Sequence, residues 1–209
     1  MKPTVEKEQA LYQQGFSFIA GIDEAGRGAW AGPVVAAALI LPLDDLALTR
    51  RLVGVQDSKK ISPKKREDLF GVIHTVALAV SVGVASHTYI DRQGIIAATR
   101  RAMTQAVRRL AIPPHYLLID HLPLPHLSIP QHAFPKADAT SLSVAAASII
   151  AKVTRDRLML QLDTVYPGYG FARHKGYGTQ AHQEALARLE PCKIHRYSFK
   201  PINKFTISD

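Results

Sequence analysis

Four carboxylates define the chemistry open to this chain. Asp23 and Glu24 stand side by side at the end of an apolar, β-prone run, Phe18–Ile22. Asp120 closes a second short apolar run, Tyr116–Ile119, and Asp138 stands just ahead of a long helical pattern. Strand ends of one sheet gather in space, and helix starts open onto the same rim. Acids brought to one rim repel one another, and burying their charge is costly unless it is balanced. Hard divalent cations with oxygen ligands, Mg²⁺ or Mn²⁺, balance such a set. Two ions about 4 Å apart can activate a water and stabilise the leaving oxygen in phosphodiester hydrolysis. Taken singly, each acid has a plainer reading: a solvated strand end for Asp23-Glu24, a loop cap for Asp120, a charge favoured by the helix dipole for Asp138.

The bulk composition suits a polyanionic substrate. Lys and Arg outnumber Asp and Glu by 26 to 17, a net charge of +9, which favours nucleic acid ahead of an acidic membrane surface. The 209 residues suit one domain, with a helical and basic C-terminal extension from about residue 180 to 209. The single cysteine, Cys192, excludes an internal disulfide and fits a reducing compartment. The charged N-terminal stretch lacks the apolar core of a signal peptide, and no apolar run reaches membrane-span length. The expectation is a cytoplasmic monomer with no membrane association.

These acids need a scaffold. A short helix is expected over Val5–Gln14, ended by Gly15, then a pair of buried strands, Phe18–Ile22 and Val34–Leu41. Ser62-Pro63 is an N-cap followed by a first-turn proline, opening a helix to about His74. A strand over Val76–Val84 precedes a helix from about Thr88 to Leu110, with Ile96, Met103, Val107 and Leu110 on one face. The proline- and histidine-rich stretch after Asp120 reads as irregular up to Phe134. Thr140–Leu162 is the strongest helix, with Leu142, Ile149, Val153 and Leu160 on its apolar side and Ala145–Ala147 for close approach to a sheet. A glycine-rich basic loop, Tyr169–Gly178, leads to a last helix capped by Thr179. Strands alternating with helices after an initial strand pair predict an α/β fold: a mixed sheet flanked by helices.

Other residues gain meaning beside the acids. Gly26-Arg27-Gly28 formally starts a dinucleotide fingerprint, but Gly32-Pro33 and a branched strand follow where a phosphate-binding helix is required. Asp57 reads as a loop-ordering residue, and Asp156, between Arg155 and Arg157, as a member of structural ion pairs. Ser58 and Lys59 open a basic cluster that is either a solvated helix face or a phosphate contact. Arg173, Lys175 and Tyr177 combine cations for phosphates with an aromatic for a sugar or base. His115, His121, His126 and His132 lack zinc spacing and read as loop residues.

Six segments together resemble the bacterial type 2 ribonucleases H: Gly21–Gly28, Ala31–Ala38, Asp57–Ser62, Leu117–Asp120, Lys136–Arg157 and Tyr166–Thr179, in that family's order. The resemblance implies a ribonuclease H-like fold with a helical C-terminal part. It also implies hydrolysis of RNA in RNA–DNA hybrids and incision 5′ to a single ribonucleotide in duplex DNA, giving 3′-hydroxyl and 5′-phosphate ends. The family's metal-binding acids fall on Asp23, Glu24, Asp120 and Asp138. Its ribonucleotide-sensing motif falls on Gly26, Arg27 and Gly28, whose backbone reads the 2′-hydroxyl, and its junction-sensing tyrosine falls on Tyr177. Two departures stand out. His121 replaces the usual glycine after the third acid, where an imidazole could crowd or tune the metal site, and Ala29-Trp30 replaces a smaller or proline-containing pair. The sister type 3 enzymes carry an extra N-terminal domain, for which the stretch before Phe18 is too short. A silent nucleic-acid binder of the same fold would bind without metal-dependent cutting. A replication-protein partner at Lys193–Asp209 is compatible with the resemblance.

Overall fold

The computed structural model describes residues 2–205. Its centre is a five-stranded sheet in the order β3-β2-β1-β4-β5. The strands are β1 (Ile19–Ala25), β2 (Val34–Ile40), β3 (Ala79–Ala85), β4 (Tyr116–Asp120) and β5 (Gln131–Phe134). β1, β2 and β3 form an antiparallel meander, while β1, β4 and β5 run parallel. β2 is buried along its whole length, which is why it reads as an unbroken apolar run. β5 lies inside the stretch expected to be irregular. Its four residues at the sheet edge, three half-buried and His132 exposed, carry too little alternation to announce a strand.

Helices cover both faces. On one lie α5 (Leu142–Val165) and α3 (Pro63–Val76), packed on Ala25, Ala37 and Leu39. On the other lies α4 (His87–Arg108), packed on Ile22, Ala36 and Ile40. Backbone approach is close at two glycines. A Cβ on Gly21 would lie 2.3 Å from the Ser143 carbonyl carbon of α5, and one on Gly83 would lie 2.0 Å from the Ala102 carbonyl oxygen of α4. Ser62 accepts a hydrogen bond from the Lys65 N–H and caps α3, with Pro63 in its first turn.

Two residues placed on apolar helix faces are exposed instead. Ile96 is 50% exposed: α4 breaks at Gly94 (φ 79°), which resets the helix face, and Ile95 packs on the core in its place. Leu160 is 46% exposed because α5 runs on past the sheet, where its neighbour Met159 packs on the C-terminal residues instead.

The N-terminal helix α1 (Glu6–Gln13) is tied to α5 by a buried carboxylate, Glu8, beside the apolar packing of Val5 and Leu11. Glu8 Oε1 accepts from Ser141 Oγ at 2.6 Å, Ser143 N–H at 2.8 Å and Ser143 Oγ at 2.7 Å. A carboxylate thus sits at the positive end of α5, where the helix dipole favours it. The remaining helices are the single-turn α2 (Leu48–Arg51) and α6 (Phe171–His174), and α7 (Gln180–Leu189), whose cap is Thr179. No described helix is long and apolar enough to cross a membrane.

Candidate active site

β1 runs on through Asp23 and Glu24 instead of stopping before them, because β2 pairs with both, at Ala37 and Ala36. On its other side β1 pairs with β4 only as far as Ile22–Ile119. Asp23 and Asp120 therefore emerge level with each other where the two strands part. Asp138 sits on a one-turn segment, Ala137–Ala139, ahead of α5. Asp120 Oδ1 accepts from the Ala137 N–H at 2.8 Å and ties that segment to β4. Asp23 and Asp138 are buried.

The electrostatics show acids crowded together. Asp23 is pushed well above the usual carboxylate range, first by burial and then by Glu24, Asp120 and Asp138. Burial also raises Glu24, although the Arg27 guanidinium 3.1 Å from its Oε1 opposes this. Asp138 is raised by burial and by Asp57 and Asp120. Burial pulls the Lys59 ammonium down, but Asp23, Asp57, Asp138 and Asp120 outweigh it and leave the pKa raised.

Among the described residues, no three His, Cys, Asp or Glu side chains are already drawn into a metal cage. The donor set still suits a hard cation. Glu24 Oε2 is buried with no hydrogen-bond partner, and a divalent ion would offset the repulsion that raises these carboxyls.

The acids open onto a cleft of about 600 Å³. Glu24 and Asp120 form its floor; the Gly26-Arg27-Gly28 turn, Ser58, Lys59 and Tyr177 form its walls, together with Arg66 and Lys152. The turn is held from behind by two buried arginines. Arg196 donates to the carbonyls of Gly26 (2.7 Å), Arg27 (2.8 Å) and Gly32 (3.0 Å). Arg155 donates to those of Pro33 (2.9 Å), Lys175 (2.9 Å) and Ala31 (3.1 Å). Among the described residues neither has a carboxylate partner within salt-bridge distance, and burial lowers both pKa values, Arg196 to about 9. Sequence reasoning missed both: an arginine amid the charged residues 155–157 of a helix, or in an irregular basic stretch such as 193–200, looks like surface. The one signal was their neighbourhood, Arg155 in a helix rich in apolar residues and Arg196 beside a histidine.

Tyr177 stands on a loop that bends through left-handed residues, Lys175 (φ 54°) and Gly176 (φ 78°). Trp30 lies beneath this loop. Its backbone N–H donates to the Gly176 carbonyl at 2.8 Å, and a Cβ on Gly178 would lie 2.1 Å from its ring. Lys152 and Arg155 lie over the Tyr177 ring, 5.4 and 5.2 Å from its centroid. Behind the loop are three buried histidines, His174, His182 and His195. Burial pushes His182 and His195 down to about 4, and the other two histidines of the group add to the shift of His182.

Besides each other, the groups facing these two rings are His174, Trp30, Tyr169, Phe171, Cys192 and the Tyr177 backbone, with His87 near His195; among the described residues none is a carboxylate. Both rings are neutral when folded, so the unfolded chain binds the extra protons between about pH 6.5 and 4. Their contribution to stability is complete above about pH 6.5 and is lost as pH falls towards 4, at a cost on the order of a few kcal/mol. In an NMR titration their ring resonances should hold still down to about pH 5. A midpoint near the free-imidazole value would contradict the burial.

The ribonuclease HII family model matches residues 20–202. The chain belongs to the ribonuclease HII family. Ribonuclease HII of Geobacter metallireducens is 54% identical over 197 residues, 94% of this chain and 90% of that protein. Its counterpart in Chloroflexus aurantiacus is 49% identical over 208 residues, 100% of this chain and 98% of that one. Among solved structures, ribonuclease H2 from Pyrococcus horikoshii superposes with a TM-score of 0.75 at 28% identity, over 90% of this chain and 96% of that one. The RNase HII of the Archaeoglobus fulgidus PCNA:RNase HII complex gives 0.74 at 30% identity, over 88% and 95%. The chain is accordingly a ribonuclease H with a ribonuclease H-like fold.

Against the ribonuclease HII pattern, the structure brings together Asp23, Glu24, Asp120, Asp138, Gly26, Arg27, Gly28, Ser58, Lys59 and Tyr177. It does not bring Arg173 and Lys175 to the cleft. Arg173 opens onto a separate depression beside Thr179 and Glu184, and the Lys175 ammonium donates to the Ala172 carbonyl. Arg66 and Lys152 supply the cations there instead. His121 does not crowd the acids, for its side chain is exposed. Its backbone is left-handed (φ 62°), which explains why glycine suits the position and why histidine, among the residues that best tolerate that region, can replace it. Asp57 accepts from the Lys59 N–H at 3.0 Å, and Asp156 pairs with Lys152 at 2.7 Å and Arg66 at 3.8 Å, both in the structural roles expected of them. Of the expected partner stretch 193–209, residues 206–209 lie outside the described residues.

Proposed function

We propose that this ribonuclease HII cuts the RNA strand of RNA–DNA hybrids and incises 5′ to single ribonucleotides in duplex DNA, by two-metal-ion hydrolysis. The observation that carries this reading is one cleft lined by Glu24, Asp120, the Gly26-Arg27-Gly28 turn and Tyr177, with Asp23 and Asp138 crowded beside those acids. Asp23, Glu24, Asp120 and Asp138 would hold Mg²⁺ or Mn²⁺, which supplies an activated water and charge stabilisation at the phosphate. Water adds at phosphorus and the bond to the 3′ oxygen breaks, leaving a 3′-hydroxyl and a 5′-phosphate. Arg196 draws the carbonyls of Gly26 and Arg27 inward. In trans peptides this turns the N–H groups of Arg27 and Gly28 the other way, as donors for a 2′-hydroxyl. Lys59, Arg66 and Lys152 offer charge to the phosphates on either side. Tyr177 offers its ring face to the deoxyribose beyond the ribonucleotide.

The test is cleavage of a DNA duplex with one embedded ribonucleotide, in Mg²⁺, in Mn²⁺ and in EDTA. A metal-dependent nick on the 5′ side is expected. Cutting of long hybrids alone would remove the single-ribonucleotide assignment, and binding without cutting would favour a silent binder. Tyr177→Ala should lower single-ribonucleotide incision by about 5- to 100-fold, the worth of one stacking contact, and affect a long hybrid less. Equal rates for variant and wild type on the single-ribonucleotide duplex would exclude Tyr177 as the junction sensor.

A further inference from the structure

A line of hydrogen bonds runs from the C-terminal segment through two histidines to the backbone of Tyr177. The Cys192 N–H can only donate, so His195 Nδ1, 2.9 Å away, accepts. The Tyr177 carbonyl can only accept, so His182 Nδ1, 3.0 Å away, carries a proton. A neutral imidazole has one ring proton, which leaves His182 Nε2 as an acceptor. It lies 3.0 Å from His195 Nε2, the nitrogen that holds the His195 proton. His174 is fixed in the same way: Nδ1 accepts from the Gly176 N–H at 3.2 Å, and Nε2–H donates to the Tyr169 carbonyl at 2.8 Å. Six ring nitrogens thus have one consistent assignment. The Cys192 carbonyl, 3.1 Å from the unprotonated His195 Nδ1, is a contact and not a bond.

The loop it reaches is fixed by side chains and neighbouring backbone: Arg155 donates to the Lys175 carbonyl, Trp30 to the Gly176 carbonyl, and the Thr179 N–H shares the Tyr177 carbonyl with His182, at 2.9 Å. Residues 175–178 lie outside any helix or strand. Tyr177 donates its own N–H to the His174 carbonyl at 3.0 Å, so two of the three histidines grip its peptide units. Around them the His182 ring is packed by His174 at 4.3 Å, Trp30 at 5.4 Å and Phe171 at 5.6 Å, centroid to centroid. We propose that His182 and His195 form a tautomer-locked relay that positions Tyr177, so that the segment Cys192–Arg196 sets how well the enzyme tells a single ribonucleotide from a long hybrid. This rests on the reading of Tyr177 as the junction sensor. His182 and His195 are positioning residues: they touch no substrate and act through the Tyr177 carbonyl.

The experiment compares kcat/KM on the single-ribonucleotide duplex and on a uniform RNA–DNA hybrid, using full-length variants. His182→Phe and His195→Phe remove the relay; His182→Asn keeps a donor at the Nδ1 position and His195→Gln keeps one at Nε2. The phenylalanine variants should lower the ratio of the two activities about 10-fold, the worth of one buried hydrogen bond; His195→Gln should stay within about 3-fold of wild type, and His182→Asn, which keeps the bond to Tyr177 but loses the acceptor for His195, should fall with His195→Phe. A merely structural role would lower both activities together and leave the ratio unmoved. An unmoved ratio in His182→Phe, with Tyr177→Ala still selectively impaired, overturns the relay and leaves the junction reading standing. Tyr177→Ala without a selective defect overturns both. Should the phenylalanine variants not fold, ¹⁵N spectra of the wild-type imidazoles decide. His182 protonated at Nδ1 and His195 at Nε2 supports the relay, and any other tautomer pair overturns it.

Discussion

Asp23→Asn should cut cleavage of either substrate by about a thousandfold, the several kcal/mol that metal-borne charge stabilisation supplies, and should make the protein more stable. The two effects have one cause. Asp23 is a buried carboxylate whose ionisation is opposed by burial, by Glu24, by Asp120 and by Asp138. Asparagine has the same shape, and its amide oxygen can still accept the Glu24 N–H bond, 2.7 Å in the native protein. It removes a charge that the apo fold must carry and that the proposed ions require. Single-turnover kinetics in Mg²⁺ and metal-free urea unfolding check the pair of expectations. Native-like turnover would take Asp23 out of the metal site. A less stable variant would mean that the carboxylate is balanced by something other than its neighbours.

Arg196→Lys should destabilise the chain by about 3 kcal/mol or more, as breaking a buried polar network does, although the charge is kept. The guanidinium holds three carbonyls at once, at Gly26, Arg27 and Gly32. An ammonium is a compact point charge and cannot span that fork, so at least one buried carbonyl loses its partner. The freed peptides belong to the turn that walls the cleft, and selectivity for the single ribonucleotide should fall with stability. Urea midpoints and the ratio of the two cleavage rates measure both. A variant as stable as wild type would show that the turn is held by its own geometry and not by the arginine.

What could be read in the sequence was what repeats along it or is anchored by type. β1 and β2 are apolar runs flanked by turn glycines, α3 begins with a serine and a proline, and the four acids end or begin such elements. Asp23, Glu24, Asp120 and Asp138 therefore came together on paper as they do in space. What could not be read is what depends on contacts across 100 residues or more. Arg155 and Arg196 reach carbonyls 122, 124, 164, 169 and 170 residues away, and no local pattern marks a side chain whose partners are backbone. The histidines behind Tyr177 escaped although their bonds span only 2 to 13 residues, because their partners too are backbone groups or one another; of the four expected in loops, His115, His121 and His126 lie there, but His132 lies in β5. Arg173 and Lys175 show the opposite error, in which adjacency to Tyr177 in sequence suggested adjacency to the cleft. The left-handed turn at Lys175 and Gly176 sends neighbouring side chains apart.

The bonds from Glu8 to Ser141 and Ser143 span 133 and 135 residues. A ribosome adds about 5–20 residues each second. Helix α1 therefore leaves it about 7 to 27 seconds before the serines that hold Glu8 exist. Through that interval an eight-residue helix has no tertiary partner at α5, and helices so short are marginal alone. An element made long before α5 is thus secured only after it, and its docking reports that the N-terminal turn of α5, next to Asp138, has been built.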